Sequence, residues 1–175
     1  LAVGEPPATR GYTPAVFSFM PNFLERAGTS DRGTITGFFT VLVEGDDMDE
    51  PISDSARSVL DGHVVLSRQM ANRNHYPAID FLSSISRCMP DVIANDHLRL
   101  IGSVKDYEAA YRENEDLIQI GAYARGSSER IDKAIQLHDP LMKFVRQSFN
   151  EKSSMTDAVD ELKKIHTPFG TGADK

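Results

Sequence analysis

The fold is decided by a change of pattern in the stretch from Asp96 to Gly121, which reads DHLRLIGSVKDYEAAYRENEDLIQIG. Apolar and aromatic side chains recur there every three or four residues, at Leu100, Val104, Tyr107 and Tyr111. That spacing places them along one face of an amphipathic helix. We therefore expect a long helix to begin close to Asp96, in contrast to the mixed pattern before it.

Three helix-start signals follow this stretch: Ser127 or Ser128, the pair Asp139-Pro140, and the box Ser154-x-x-Asp157. Serine and aspartate can accept hydrogen bonds from the unpaired N–H groups of a first helical turn, and proline fits the position after them. The first of these helices is predicted to end near Leu137. Residues 93–166 are thus predicted to form an all-α domain, and residues 167–175 a flexible tail.

Residues 1–92 read as an α/β segment. Thr13 and Pro14 predict the start of a helix that reaches Arg26, and Pro21 predicts a kink or a break near Met20. The run Thr34–Val43 is β-branched and aromatic, and it becomes apolar on both faces near its end. This composition is typical of a strand buried on both sides of a parallel sheet.

Shorter elements are predicted after that run. A helix is expected around Ser53–Leu60, a second strand over His63–Leu66, and one or two helical turns before Asn72. Tyr76 precedes Pro77, which favours an extended backbone on entry to the next segment.

The composition excludes several classes of protein. The 175 residues include 19 Lys and Arg against 26 Asp and Glu, so the net charge is −7, and no basic surface for nucleic acid is expected. No apolar run approaches the ~20 residues of a membrane span. The single cysteine, Cys88, fits a reducing compartment, and the five histidines lack metal-ligand spacing. We expect a cytoplasmic protein with no metal site formed by its own side chains.

Six motifs occur in an order and spacing that carry a family resemblance: Glu5–Tyr12, Gly45–Pro51, Leu60–Arg68, His75–Asp80, Ser84–Arg87 and Asn114–Tyr123. Together they resemble the C-terminal part of the type III protein-export ATPases. The flagellum-specific ATPase is the first match and the injectisome ATPase the second, and both are relatives of rotary ATP synthase subunits. The resemblance covers roughly residues 1–147.

The resemblance implies a fold and an activity. Residues 1–92 would be the C-terminal part of a RecA-like P-loop NTPase domain, followed by an all-α C-terminal domain over 93–166. The protein would form a homohexamer that hydrolyses ATP with Mg²⁺ to energise flagellar protein export. Its implied partners are a coiled-coil stalk protein, an export-gate membrane protein and export chaperone–substrate complexes. It would work at the cytoplasmic face of the export apparatus, peripheral to the membrane.

One feature departs from the family pattern. The P-loop has the form G-x-x-x-x-G-K-[ST], and no Gly-Lys dipeptide occurs in this sequence. The sequence opens at Leu1, which suggests a fragment whose P-loop and metal ligands lie upstream. We expect these 175 residues alone to be inactive as an ATPase. The alternatives are an injectisome ATPase, a non-catalytic module that binds substrates or chaperones, and a rotary synthase subunit.

Arg87 is the predicted catalytic residue. Its position in Ser84-Ile85-Ser86-Arg87 matches the place where the family carries an arginine finger. The guanidinium would reach the γ-phosphate held by a neighbouring subunit, and such a finger contributes roughly 10³–10⁵ in kcat. The alternative is a surface arginine in an ordinary ion pair.

Tyr76 and Pro77 are the predicted adenine-binding residues. The resemblance implies that the Tyr76 ring stacks on the base, where a flat aromatic face offers apolar contact. Tyr123 is a candidate second wall of this pocket. A tyrosine packed in the core is the alternative for either ring.

The acidic loop, with Asp46, Asp47 and Asp49, is the predicted partner-binding segment. In rotary relatives the corresponding loop faces the central stalk, and its carboxylates could steer basic partner residues. A solvated turn is the alternative. Arg10 matches a family motif beside the subunit interface and is expected either at that interface or paired with a carboxylate.

Overall fold

The computed structural model describes residues 11–167. By its internal contacts the chain divides into unit 1, Leu1–His63, and unit 2, Val64–Lys175. Arg10 and residues 168–175 of the predicted tail lie outside the described residues. The predicted domain boundary between residues 92 and 93 stays a prediction.

Unit 1 contains two helices, α1 (Pro14–Leu24) and α2 (Pro51–Val59), which pack against each other. Both confirm the predicted helices, and proline occupies the start of each. Of the predicted kink or break near Met20, the break is wrong, because α1 continues through Pro21; the kink stays a prediction. Although proline lacks an N–H group, its carbonyl oxygen accepts a hydrogen bond from the Glu25 N–H at 2.9 Å, so the last turn still closes.

The strand predicted over Thr34–Val43 is largely absent. Instead, β1 (Gly28–Ser30) and β2 (Gly33–Ile35) form a short exposed antiparallel hairpin, in which Thr29 lies opposite Thr34. Residues 36–43 form no strand, and Phe38 is 94% exposed. No strand within residues 11–167 pairs with residues 36–43, so the backbone of this segment has no ladder to join. The predicted burial on both faces is also wrong for this structure, because Ile35, Phe38 and Leu42 are all exposed.

Unit 2 begins with a small sheet. Strand β3 (Gly62–Leu66), whose last three residues belong to unit 2, confirms the second predicted strand and pairs with β4 (Ile79–Ser86). Between them lies α3 (Arg68–Asn72), the predicted short helix, which is capped by the Ser67 hydroxyl. The strand β4 leads into α4 (Met89–Val92).

Three long helices follow, α5 (Asn95–Gln119), α6 (Glu129–Phe144) and α7 (Met155–His166). The long helix from Asp96, the Ser128 cap of α6 and the Ser154–Asp157 capping box of α7 are confirmed. No helix within residues 11–167 combines the length and apolarity needed to cross a membrane.

The predicted helix end near Leu137 and the new start at Asp139-Pro140 are wrong. Helix α6 runs through Pro140 to Phe144. The side chains on either side, Leu137 and Leu141, are almost completely buried and form the core with Leu100 and Val104 of α5. Burial of these leucines stabilises the helical path across the proline, whose own cost is ~3 kcal/mol.

Candidate functional site

Arg87 directly follows β4, and its side chain is exposed. The end of this strand is well anchored within unit 2. The Ser84 hydroxyl donates to the Asp80 carbonyl oxygen at 2.6 Å and accepts from the Val65 N–H, while the Lys105 ammonium donates to the Ser84 carbonyl oxygen at 3.1 Å. The strand therefore presents Arg87 from a fixed backbone.

A groove of about 950 Å³ lies on unit 2 beside Tyr76 and Pro77. Its remaining lining comes from Asn74, the end of α6 and the segment after it, and α7: Lys143, Phe144, Arg146, Gln147, Ser148, Phe149, Glu151 and Glu161. The Tyr76 ring is 53% exposed, and Phe149 is fully exposed. Two accessible aromatic side chains and both signs of charge thus line one cavity.

The backbone fixes Tyr76 against the α6 end of the groove. The Gln147 N–H donates to the Tyr76 carbonyl oxygen at 2.9 Å. The peptide bond between Tyr76 and Pro77 is cis. The predicted adenine-binding pair therefore lies in the wall of a cavity and not in the core.

His75 and Arg146 connect the same two segments through their side chains. His75 is 4% exposed, and its Nδ1 lies 3.2 Å from Nε of Arg146. Burial lowers the pKa of His75, and the positive charges of Arg146 and Arg112 lower it further. The imidazole is consequently neutral near neutral pH and can accept the guanidinium N–H.

A chain of ionic hydrogen bonds connects β4 to α5 and α6. Arg112 donates to Asp80 at 2.9 Å and to Glu108 at 3.1 Å, and His138 Nδ1 lies 2.9 Å from the other Glu108 oxygen. Glu108 is 2% exposed, so these partners compensate a buried carboxylate. The Tyr111 ring stacks on His138 with centroids 3.6 Å apart. The network attaches the strand that precedes Arg87 to the helical bundle.

Tyr123 does not line the groove. It follows α5, and its hydroxyl is hydrogen-bonded to the Ser128 carbonyl oxygen and to Oδ1 of Asp132, each at 3.1 Å. Asp132 also accepts from the Gly126 N–H at 2.9 Å. In this structure Tyr123 holds the connection between α5 and α6, and its assignment to the adenine pocket stays a prediction.

The acidic loop of unit 1 forms a 3₁₀ turn over Glu44–Asp46. Asp46 and Asp49 are exposed and Asp47 is half-buried, with the Asp47 carboxylate accepting from the Asp49 N–H at 3.1 Å. Arg57 lies 3.6 Å from Asp49 and donates to the Met48 carbonyl oxygen. The backbone therefore holds at least two of the three carboxylates at the surface.

A buried glutamate supports this loop from below. Glu50 is 2% exposed, and its two oxygens accept from the Tyr12 hydroxyl at 3.3 Å and the Glu44 N–H at 3.2 Å. The sequence did not single out Glu50, and only the structure shows this supporting role. Within residues 11–167, no group of His, Cys, Asp and Glu side chains is arranged to hold a metal ion, and Cys88 is exposed.

Three groove and network residues had no signal in the sequence: Arg112, Arg146 and Phe149. His75 stood at the start of a motif, but no role was assigned to it. Arg146 and Phe149 lie about seventy residues after Tyr76, beyond the end of α6. Only the folded chain brings them to the same cavity. Hydrophobic periodicity does not identify these two residues, because they lie in an irregular segment that has no repeating pattern.

Comparison with known proteins identifies the family. The model described as "ATP synthase alpha/beta family, nucleotide-binding domain" matches residues 1–86, and that described as "T3SS EscN ATPase C-terminal domain" matches residues 93–164. The chain belongs to the type III protein-export ATPase family. This confirms the resemblance and the predicted fold class, part of a P-loop NTPase domain followed by a helical domain. It also corrects the limit of the resemblance, which extends beyond residue 147 to residue 164.

Individual relatives agree with this assignment. A flagellum-specific ATP synthase of Bacillus subtilis is 47% identical over 165 residues, which are 94% of this chain and 38% of that protein. The assembled ATPase EscN of the enteropathogenic E. coli type III secretion system superposes with a TM-score of 0.90 at 43% identity, over 94% of this chain and 40% of that one. EscN in complex with its central stalk EscO gives 0.82 at 42% identity, over 94% and 39%. The chain thus spans about two fifths of the relatives that it matches.

Proposed function

We propose that this chain contributes one half of the ATP site of a flagellar type III export ATPase, with Arg87 as an arginine finger acting on a neighbouring subunit's nucleotide. The observation that carries the proposal is the exposed Arg87 at the end of the anchored strand β4, in a chain of this family. A rigid, permanently charged guanidinium is suited to stabilise charge that spreads over the transferring phosphoryl oxygens. Fixing its backbone reduces the entropy lost when the transition state forms.

The groove beside Tyr76 and Pro77 is the proposed adenine pocket. The half-exposed Tyr76 ring offers one aromatic face, and Phe149 offers a second within the same cavity. Aromatic contact with a purine is favourable and depends little on base identity. Tyr123 remains a weaker candidate, because its hydroxyl is already engaged with Asp132.

The rest of the site is expected elsewhere in the family's longer chains. The phosphates and Mg²⁺ need the P-loop lysine and hydroxyl, and no residue of this sequence matches that motif. The 175 residues alone are accordingly expected to lack ATPase activity. In this proposal, residues 1–92 belong to the RecA-like domain and 93–166 to the helical C-terminal domain.

Assembly follows from the same proposal. An arginine finger in trans needs an adjacent subunit, and the assembled EscN structure supports a homohexamer. The complex of EscN with its stalk EscO supports a stalk partner, for which exposed Asp46 and Asp49, with Asp47, would provide steering charge toward basic residues. Arg10 is proposed at the subunit interface. The expected setting is the cytoplasmic face of the export apparatus, with the export gate and chaperone–substrate complexes as further partners.

The test compares two arginine substitutions in the full-length hexamer. Arg87→Ala should lower kcat by roughly 10³-fold or more, while nucleotide affinity stays within a factor of a few, because the finger acts mainly in the transition state. Arg99→Ala is the matched control, since Arg99 is exposed on α5 and lies away from the groove. Steady-state turnover and binding of a fluorescent nucleotide measure the two effects. Wild-type turnover by Arg87→Ala would refute the finger.

A second candidate is a non-catalytic module that binds export substrates or chaperones. It is favoured by large apolar side chains left exposed on the helical part of unit 2, at Leu117, Ile120 and Met155. Substitution of Ile120 and Met155 by serine should then reduce capture of a chaperone–substrate complex while leaving ATP turnover unchanged. Loss of ATP turnover in Arg87→Ala would favour the enzyme. Normal turnover in Arg87→Ala, together with lost capture in the Ile120 and Met155 variant, would favour the module.

A further inference from the structure

His75 is a buried imidazole in contact with a residue of the groove wall. Its Nδ1 lies 3.2 Å from Nε of Arg146, and a guanidinium can only donate, so Nδ1 accepts. The ring proton of the neutral form is therefore on Nε2, which is buried and has no hydrogen-bond partner within residues 11–167. In this arrangement the Nε2–H of His75 is left without an acceptor among the described residues, while the Nδ1 lone pair accepts from Arg146.

Arg146 is held through Nε alone. Among residues 11–167, its two terminal NH₂ groups have no ion-pair or hydrogen-bond partner, and the residue is exposed in the lining of the Tyr76 groove. By contrast, Arg112 and Arg130 each use their guanidinium groups on two carboxylates. Arg146 thus offers a planar set of charged donors inside a cavity that also contains two accessible aromatic rings.

We infer that Arg146 is a nucleotide-binding residue of this groove and that neutral His75 is the positioning residue that orients it. The inference rests on the proposed function, because it assumes that the groove takes a nucleotide. Phosphate, ribose and base all carry acceptor atoms, and a guanidinium fixed at one nitrogen can donate from its remaining two. His75 itself, being buried, makes no contact with the ligand.

A pH dependence follows from the contact. Protonated His75 could no longer accept from Arg146 and would place a second positive charge 3.2 Å from Nε. The charged groups acting on His75 are Arg146, after α6, and Arg112, on α5; burial and both charges lower the pKa of His75, so the ring is neutral at neutral pH. Nucleotide affinity should be highest above the pKa of His75, where the ring is neutral, and should fall as the pH is lowered through that pKa.

The experiment measures binding of a fluorescent ADP analogue to the full-length hexamer at about pH 7.5 and in steps down to about pH 4.5, because burial and the two neighbouring charges lower the pKa of His75 below the ordinary histidine value. At the higher pH, Arg146→Gln should weaken binding about tenfold, the order expected for a hydrogen bond to a charged group. His75→Asn should bind almost as wild type does, because its amide oxygen can replace the Nδ1 acceptor. Arg99→Gln is the control for loss of an exposed positive charge.

The difference between variants at the lower pH decides the role of His75. On acidification, His75→Asn should lose only the affinity that is unrelated to His75, because it has no imidazole ring to protonate. Wild type and Arg99→Gln keep the ring and should lose up to about tenfold more affinity than His75→Asn does. Arg146→Gln should lack the same additional loss, so the inference remains testable if His75→Asn fails to fold. Equal acid weakening in wild type and Arg146→Gln would overturn the positioning role.

Two further outcomes separate this inference from the proposed function. Wild-type affinity in Arg146→Gln at pH about 7.5, with weakened binding in Tyr76→Ala, would overturn the role of Arg146 and leave the adenine pocket intact. Wild-type affinity in both variants would show that the groove does not take the nucleotide, and the proposed adenine pocket would then fail as well.

Discussion

In unit 1 the buried apolar side chains among the described residues are Leu24 and Ala56, whereas in unit 2 a continuous buried cluster unites Leu100, Val104, Leu137 and Leu141. Unit 1 leaves Phe38 and Leu42 almost fully exposed. Both units satisfy a buried carboxylate with two partners, Glu50 in unit 1 and Glu108 in unit 2, so the contrast lies in the apolar interior. The two parts of one chain therefore differ in how far they complete their own interior.

The difference reflects how helices and strands satisfy their backbones. A helix closes its hydrogen bonds within itself, so α5, α6 and α7 need only pack their apolar faces together. A strand needs a neighbour for its N–H and C=O groups, and residues 36–43 have none within the described part of the chain. The helical sequence can reach its fold locally, whereas the sheet sequence depends on distant segments.

The largest expected effect tests the core of unit 2. Leu137→Ala should destabilise the 175-residue chain by about 2–5 kcal/mol, because it opens a cavity at a side chain that is 1% exposed. Phe38→Ala is the matched comparison and should change the free energy of unfolding by less than about 0.5 kcal/mol, since the exposed Phe38 ring buries little apolar surface. Urea unfolding followed by helical circular dichroism measures both. Similar values for the two variants would contradict the contrast between the units.

A smaller effect is expected from the network between β4 and the helices. Arg112→Ala should cost about 1–3 kcal/mol, because Glu108 loses one of its partners while remaining buried. Arg130→Ala also removes an arginine from two carboxylates, Asp106 and Glu113, but at the surface, and should cost less than about 1 kcal/mol. Equal unfolding free energies for the two variants would show that burial of the network adds nothing.

The same network has an acid limit. Burial alone would raise the pKa of Asp80, but hydrogen bonds from Ser83 and Arg112 and the charge of Arg112 together lower it. A lowered native pKa contributes stability that is present above the unfolded value of about 3.9 and is lost as the pH falls through the native value. The difference between wild type and Arg112→Ala should accordingly shrink in that acid range, and a constant difference would argue against Asp80 as its source.

The smallest effect sharpens the contrast at a helix end. Ser154→Ala should cost about 1 kcal/mol, because the Ser154 hydroxyl accepts from the Asp157 N–H at 3.1 Å in the capping box of α7. Ser153→Ala is the control, since that hydroxyl donates to the Ser154 carbonyl oxygen at 3.3 Å and caps no helix N–H among the described residues. The midpoint of urea unfolding distinguishes them. A loss in Ser153→Ala as large as in Ser154→Ala would dismiss the cap as the cause.

The elements that sequence alone predicts well are those with local causes. Ser128 and Ser154 begin helices because their hydroxyls meet the N–H groups three residues on. Asp139-Pro140 gave a false start because burial of Leu137 and Leu141, a tertiary effect, keeps α6 continuous. The strand predicted over Thr34–Val43 was also wrong for a tertiary reason. A strand needs a pairing partner, and that partner cannot be deduced from the sequence of the run itself.

The candidate site shows the same division. Arg87, Tyr76 and Pro77 were found through motifs, and the structure places Arg87 at the surface and the other two in a groove. Arg146 and Phe149 come from an irregular segment far along the chain, so only tertiary structure associates them with Tyr76. A sequence motif can identify a site residue, but it does not identify the distant residues that the fold places beside it.

The most direct test of the account is a mixing measurement on the full-length ATPase. One variant carries Arg87→Ala, and the other lacks the P-loop lysine that the family uses to hold the phosphates. If Arg87 serves the nucleotide of a neighbouring subunit, each variant alone is inactive, and mixed hexamers regain turnover at interfaces that combine an intact finger with an intact P-loop. Mixed rings that stay inactive although both variants assemble and bind nucleotide would contradict a finger acting across the subunit boundary.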